Sequence, residues 1–264
     1  MSRQLIVMGS GENSPAMVTP HQLAIKALGS AGKSAKETNR FNLDTPYGFQ
    51  ENADELTARI VGYFEKNVGF PATELQLRSA EGVTPDLVAQ VAEADWVFSG
   101  PGSPTYALRV WSSTGVAEAL NKVLERGVVV MASAAAMTLG AKAMPVYEMY
   151  KVGDAPYWLE GLNILEAATG IRAAVVAHYN NTQGGTHDTR FCFVGEKRML
   201  VLDQLLPDDT AVLGIDEHTG VAFDLDKGTT DVFGKGALTM RYKGVETVYP
   251  NKTTVSIEEL RSFK

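Results

Sequence analysis

Between residues 128 and 144 the chain reads VVVMASAAAMTLGAKAM. Its first five residues are all apolar, and three of them are β-branched. A strand with no polar side must be covered on both faces, as in a parallel sheet flanked by helices. The run stops at Ser133, and small, helix-prone residues follow at once. The stretch therefore predicts a buried strand that turns sharply at a lone serine into a helix, AAAMTLGAKA.

The same alternation runs along the chain. LIVMG (5–9), ELQLRS (74–79), WVFSG (96–100), AAVVAH (173–178) and TAVLGID (210–216) read as strands. PHQLAIKAL (20–28), NADELTARIVGYFEKN (52–67), GVAEALNKVLERG (115–127) and EKRMLVLDQLL (196–206) read as helices. TPDLVAQVAEA (84–94) is a further helix, with Thr84 as its N-cap and Pro85 in its first turn. Strands alternating with helices predict an α/β fold, a mostly parallel open sheet with helices on both faces. Beyond residue 219 the pattern changes to short strands broken by Gly and Asp turns, which predicts appended antiparallel strands over 219–250. With no long linker or repeat, residues 1–264 are expected to form a single domain.

Charge and composition narrow the function. The net charge of -7, with no basic stripe, argues against nucleic acid and against an anionic membrane surface. The N-terminal MSRQLIVMGSG lacks the long apolar region of a secretory signal, and a cytoplasmic protein is expected. One cysteine, Cys192, excludes an internal disulfide and reads as a buried apolar residue. No His pair has zinc-site spacing, and no metal or organic cofactor is expected. GSGENS (9–14) has Ser14 where a dinucleotide loop needs its third glycine. GSAGKS (29–34) has no strand leading into it and reads as a helix C-cap and turn rather than a phosphate loop.

Four stretches point to one site. Ser133 sits where an α/β hydrolase holds its nucleophile, although Met131 and Ala135 replace the two glycines of G-x-S-x-G. On spacing alone it reads equally well as a helix N-cap. The amide of Ala134 faces an oxyanion in the first reading. FSGPGSPTYAL (98–108) ends a strand in a Gly-rich loop; Pro101 has no N–H, which makes Gly102 the donor there. His178, just past a strand, is placed to serve as base. In MPVYEMYKVGD (144–154), Glu148 is the candidate to orient the histidine, with Asp154 in reserve.

Taken together, these residues resemble the cyanophycinase and dipeptidase E group of serine peptidases, peptidase family S51, within the class I glutamine amidotransferase-like, flavodoxin-like fold. The resemblance spans roughly residues 4 to 225. It rests on WVFSGPGSPTYAL, on VVVMASAAAM against the family's G-[TW]-S-A-G-A elbow, on VVAHYNN, on LDTPYGFQENADEL, and most specifically on TAVLGIDEHTGVAFD. It implies a three-layer sheet with C-terminal antiparallel strands. It also implies Ser133 as nucleophile, His178 as base, Glu148 as the acid, and Gly102 with Ala134 as the oxyanion hole. Known members cleave amide bonds next to aspartyl residues. This chain departs at the elbow glycines, at Ser103-Pro104, and in the polar stretch HYNNTQGGTHDTRFC. Ser103, Lys151, His187 and Arg190 are the candidate substrate contacts, with Lys151 or Arg190 meeting a carboxylate.

The expected activity is therefore hydrolysis of an amide bond in a small peptide or aspartyl-type substrate. Two alternatives stand beside it: a non-catalytic binding module of the same fold, and a glutamine amidase, which usually carries Cys at the elbow. The distance between Ser133 and His178 separates the first of these from catalysis. The oligomeric state is open, with a homodimer among the options.

Overall fold

The computed structural model describes residues 3–29 and 37–262. Of the turn expected at 29–34, everything beyond Gly29 lies outside the described residues. The first half alternates strand and helix: β1 (Gln4–Met8), α1 (Val18–Gly29), β2 (Arg40–Leu43), α2 (Ala53–Tyr63), β3 (Thr73–Leu75), α3 (Pro85–Ala92), β4 (Trp96–Ser99), α4 (Pro104–Ser112), α5 (Val116–Leu124) and β5 (Val128–Ala132). Then come β6 (Lys142–Ala143), β7 (Leu159–Glu160), α6 (Ile164–Thr169), β8 (Ala173–Val176), α7 (Glu196–Leu205) and β9 (Ala211–Ile215). The chain closes with β10 (Thr219–Asp224), β11 (Thr229–Gly234), β12 (Ala237–Tyr242), β13 (Val245–Pro250), β14 (Thr254–Ser256) and α8 (Ile257–Arg261).

Among the described residues the strands form two sheets. The larger has the order β14-β11-β10-β1-β5-β4-β2-β3. Its pairings from β1 through β5, β4 and β2 to β3 are all parallel, and β10, β11 and β14 add antiparallel strands beyond β1. The smaller sheet runs β13-β12-β9-β8-β6-β7, with β6, β8 and β9 parallel. The antiparallel strands expected after residue 219 are present, but they are shared out: β10 and β11 extend the larger sheet, β12 and β13 the smaller.

The alternation of β5 explains the layering. Val129 and Met131 enter one apolar cluster with Val91, Trp111 and Leu120 of α3, α4 and α5. Val128, Val130 and Ala132 enter a second with Ile25 of α1 and Ile60 of α2. Each fully buried valine contributes about 1.5–3 kcal/mol, so an all-apolar strand is stable only between two helical layers. Val175, Leu213 and Ile215 of the smaller sheet join the first cluster. Its far face, with Val176 and Val212, is covered by Met199 and Leu202 of α7.

Two local expectations change. The segment after Ser133 is a single 3-10 turn, Ala136–Thr138, followed by β6, and not a long helix. Residues 134–137 are all buried, so the segment has no polar face to turn to water as an amphipathic helix would. Conversely, PTYALRVWS is a helix, α4, capped by the Ser103 hydroxyl on the Tyr106 amide with Pro104 in the first turn. Among the described residues no helix is long and apolar enough to cross a membrane.

Candidate active site

Ser133 stands one residue past β5 with φ of +50°, a conformation that costs a non-glycine residue roughly 1–3 kcal/mol. Backbone bonds over-determine it: the Ser133 amide donates to Met8 O (2.9 Å) and the Ala135 amide to Gly100 O (3.2 Å). His178 stands two residues past β8, also at φ +50°, with its carbonyl accepting from the amides of Asn181 and Cys192. The two side chains meet across the sheets, Ser133 Oγ to His178 Nε2 at 2.9 Å.

The third group is Glu217. His178 Nδ1 lies 3.0 Å from Glu217 Oε1, and Asn181 Nδ2 donates to the same oxygen at 2.8 Å. The Glu217 amide is fixed in turn by Asn180 Oδ1 at 2.8 Å. Burial opposes the negative charge of Glu217, but the hydrogen bonds from His178 and Asn181 outweigh it and hold the carboxyl below its ordinary range. His178 and Glu217 each keep 22% side-chain exposure, enough for a substrate to reach the histidine.

Glu148 is not this partner. It starts a π-helical turn, Glu148–Val152, and its Oε2 accepts from Thr105 Oγ1 at 3.1 Å. There it shares a separate depression with Phe49, Ser103, Tyr106 and Arg109. The reserve, Asp154, is exposed. The reason lies in the topology: β9 is the parallel neighbour of β8, so the residue beyond β9 falls beside the residue beyond β8. That acid was in view in TAVLGIDEHTG, just past an apolar run, the same signal that marked His178.

Gly102 and Ala134 line the same cavity as Ser133 and His178. Gly102 has φ +145°, and a Cβ there would fall 2.0 Å from Pro46 O, so no side chain fits. Neither the Gly102 nor the Ala134 amide has a backbone acceptor among the described residues, which leaves both N–H groups available. The substrate-contact candidates fare differently. Ser103 Oγ accepts from the Tyr106 amide as the α4 cap. Lys151 is exposed, with Nζ 4.7 Å from the Tyr150 ring centroid. Arg190 is bound at two points to Asp188 (3.0 and 2.9 Å) and also reaches Glu196 (3.1 Å). His187 is exposed.

The polar stretch after His178 builds a wall. Phe191, Cys192 and Phe193 have φ of +57°, +55° and +70°, three consecutive left-handed residues. Each costs about 1–2 kcal/mol. The run is held by amide bonds from Phe191 to Tyr179 O, Cys192 to His178 O and Phe193 to Thr189 O. Cys192 is buried, its thiol pushed up to about 12 by burial, and Sγ contacts Met137 Sδ at 3.7 Å. Behind the wall, buried Arg241 pairs with Asp203, Glu196 and Glu246, and Glu246 accepts from the hydroxyl of Tyr179 at 2.6 Å.

GSGENS packs against the residue next to Glu217. Gly11 (φ +71°) lies against the His218 ring, 2.3 Å from where its Cβ would be, and Ser10 Oγ accepts from the His218 amide. The loop thus backs the residue next to Glu217. Glu12 is buried, and burial pushes its carboxyl above the ordinary range. Among the described residues no group of His, Cys, Asp and Glu is arranged to hold a metal ion.

A serine, a histidine and a carboxylate lie in one hydrogen-bonded chain at the carboxyl ends of parallel strands, where open α/β sheets place ligands. Residues 5–229 match Peptidase family S51. The chain belongs to that family and is a peptidase. Among solved structures, it is similar to a peptidase from an acI-B1 Actinobacterium, at 21% identity and a TM-score of 0.78, with 97% of each chain covered. It is also similar to a putative Peptidase E protein from Listeria monocytogenes EGD-e, at 11% identity and a TM-score of 0.50, covering 95% of this chain and 99% of that one. These likenesses establish the fold. No curated protein matches.

Proposed function

We propose that the chain is a serine peptidase that hydrolyses an amide bond in a small peptide, with Ser133 as nucleophile, His178 as base and Glu217 as the orienting carboxylate. The observation that carries this reading is the continuous contact from Ser133 Oγ through both ring nitrogens of His178 to Glu217. An ionised Glu217 accepts a hydrogen bond from Nδ1–H and leaves Nε2 to receive the proton of Ser133. Ser133 Oγ attacks the carbonyl carbon, and the Gly102 and Ala134 amides receive the oxyanion. His178 returns the proton to the leaving amine, and water then releases the acyl group by the same route. The 2.9 Å contact also favours catalysis over a binding module, for which His178 would be out of reach.

The test is labelling by an active-site-directed fluorophosphonate, with peptide mapping. The adduct is expected on Ser133, and Ser133→Ala is expected to lose both adduct and hydrolysis. Labelling and hydrolysis that survive Ser133→Ala refute the assignment.

A further inference from the structure

Two donors meet one oxygen of Glu217: His178 Nδ1 at 3.0 Å and Asn181 Nδ2 at 2.8 Å. Asn181 is fully buried, and its amide has one orientation open to it. Its Oδ1 accepts from the Gln183 amide at 3.1 Å, and only the oxygen end of the group can accept. The Nδ2 end is therefore left facing the carboxylate. The Asn181 backbone is held as well. Its carbonyl accepts from Thr189 Oγ1 at 3.2 Å, and that hydroxyl accepts from the Gly184 amide at 3.1 Å. Asn180 holds the main chain of the acid, with Oδ1 accepting from the Glu217 amide at 2.8 Å.

The turn from 181 to 189 thus folds back on Asn181, and Asn181 reaches across to the residue beyond β9. A fixed N–H donor favours the ionised form of a carboxyl. With Oε1 ionised and held in place, Nδ1 carries the hydrogen and Nε2 stays bare towards Ser133. Glu217 keeps 22% side-chain exposure, so without Asn181 its carboxyl would be free to turn to water. The other titratable groups that act on Glu217 or His178 are His218, Asp216, Glu12 and Cys192. None of them is altered by a change at 180 or 181.

We propose that Asn181 and Asn180 are positioning residues for the hydrolysis: Asn181 aims Glu217 Oε1 at His178, and Asn180 fixes the main chain that carries it. The inference rests on Ser133 as nucleophile and His178 as base, and the experiment separates the two. The full chain is labelled with a fluorophosphonate across the pH range in which a histidine titrates. Ser133 Oγ bonds to phosphorus, fluoride leaves, and the hydroxyl proton passes to His178. The labelling rate is read with the mass on Ser133, and its pH midpoint reports the charge on His178.

Asn181→Asp keeps the shape and the acceptor for Gln183 but sets a second carboxylate against Glu217. The midpoint is expected to rise by about one pH unit, the effect of an added negative charge near a base. Asn181→Ala is expected to lower the plateau rate about tenfold, the worth of one hydrogen bond to a charged group. Asn180 is exposed, so Asn180→Ala supplies a folded variant should the buried position not tolerate change. Its plateau rate is expected to fall about threefold. A merely structural asparagine would lower the melting temperature and leave midpoint and plateau in place. Label on Ser133 with both unchanged in the folded variants overturns this inference alone. If the unaltered chain takes no label on Ser133, the nucleophile assignment falls, and this inference falls with it.

Discussion

Ser133 leaves the larger sheet in a turn held by backbone, its amide on Met8 and the Ala135 amide on Gly100, between the buried Ala132 and Ala134. His178 leaves the smaller sheet held by side chains: Glu217 and Asn181 around the ring, and Arg241, Glu246 and Tyr179 behind it. Under the proposed roles, the difference follows from what each side does. A nucleophile needs a fixed position and space above it, which small residues and a tight turn supply. A base must stabilise a charge that comes and goes, which takes oriented dipoles and a carboxylate. Substitutions should therefore injure the serine side through geometry and the histidine side through charge.

The largest expected effect on the histidine side comes from Glu217→Gln, which keeps the shape and removes the charge. Hydrolysis should fall by roughly 10²–10⁴-fold, because the amide no longer selects the tautomer with Nε2 free. Glu148→Gln should stay within about twofold, the scatter of a surface change. Steady-state kcat/KM for the two variants decides the identity of the acid; equal losses would sink the Glu217 role. Arg241→Ala comes next. It strands Asp203, a buried carboxylate held by two nitrogens of that guanidinium, and should cost about 3–5 kcal/mol. Thermal unfolding should fall by roughly 10 °C. An unchanged melting temperature would show that the network behind His178 contributes little.

A smaller effect separates the two sides by pH. His21 is fully buried beneath the loop that follows β1, among Tyr63, Phe64, Trp96 and Phe98, and donates from Nε2 to Glu12 O at 2.9 Å. Burial lowers its pKa from 6.5 to about 4. Between those values the unfolded chain binds the proton and the folded chain does not. Stability contributed by the neutral ring is thus complete above about pH 6.5 and is lost as pH falls towards 4, by up to roughly 3 kcal/mol. Urea unfolding at pH 7 and pH 5 should show this loss, and His21→Gln should remove most of it. A pH dependence unchanged in His21→Gln would assign the acid sensitivity to other groups, Glu217 among them.

How far the sequence carries depends on the range of the interaction. Ser133, His178 and Gly102 lie at the ends of apolar runs, and a strand's end is a local signal. The packing of β5 between two helical layers was equally local, since VVVMA has no polar residue. Glu217 carried the same mark as His178, but pairing the two requires knowing that Ala173 and Ala211 are register partners. That is a contact across the chain, which no local pattern encodes. Glu148 lies close to Ser133 in the sequence, but the fold turns its carboxylate to Thr105 and not to His178. The left-handed run at 191–193 was hidden for a different reason: Phe, Cys and Phe have no preference for positive φ, and only tertiary hydrogen bonds hold them there.

The smallest predicted effect concerns the missing elbow glycines. The positive φ of the turn falls on Ser133 itself, whereas Ala135 has φ of -62° and ψ of -41°, an ordinary helical conformation. A glycine is therefore not required at 135 for its backbone freedom, and a methyl group already fits there at 0% exposure. Met131 sits inside β5, with its side chain in the first apolar cluster, which also holds Ala135. Ala135→Gly would restore half of G-x-S-x-G, yet it should lower stability by about 1 kcal/mol through chain entropy and lost packing, and leave kcat/KM within about twofold. Chemical denaturation and steady-state kinetics of this variant test the point. A large gain in activity would show that the alanine, and not the serine's own strained backbone, limits how the nucleophile is presented.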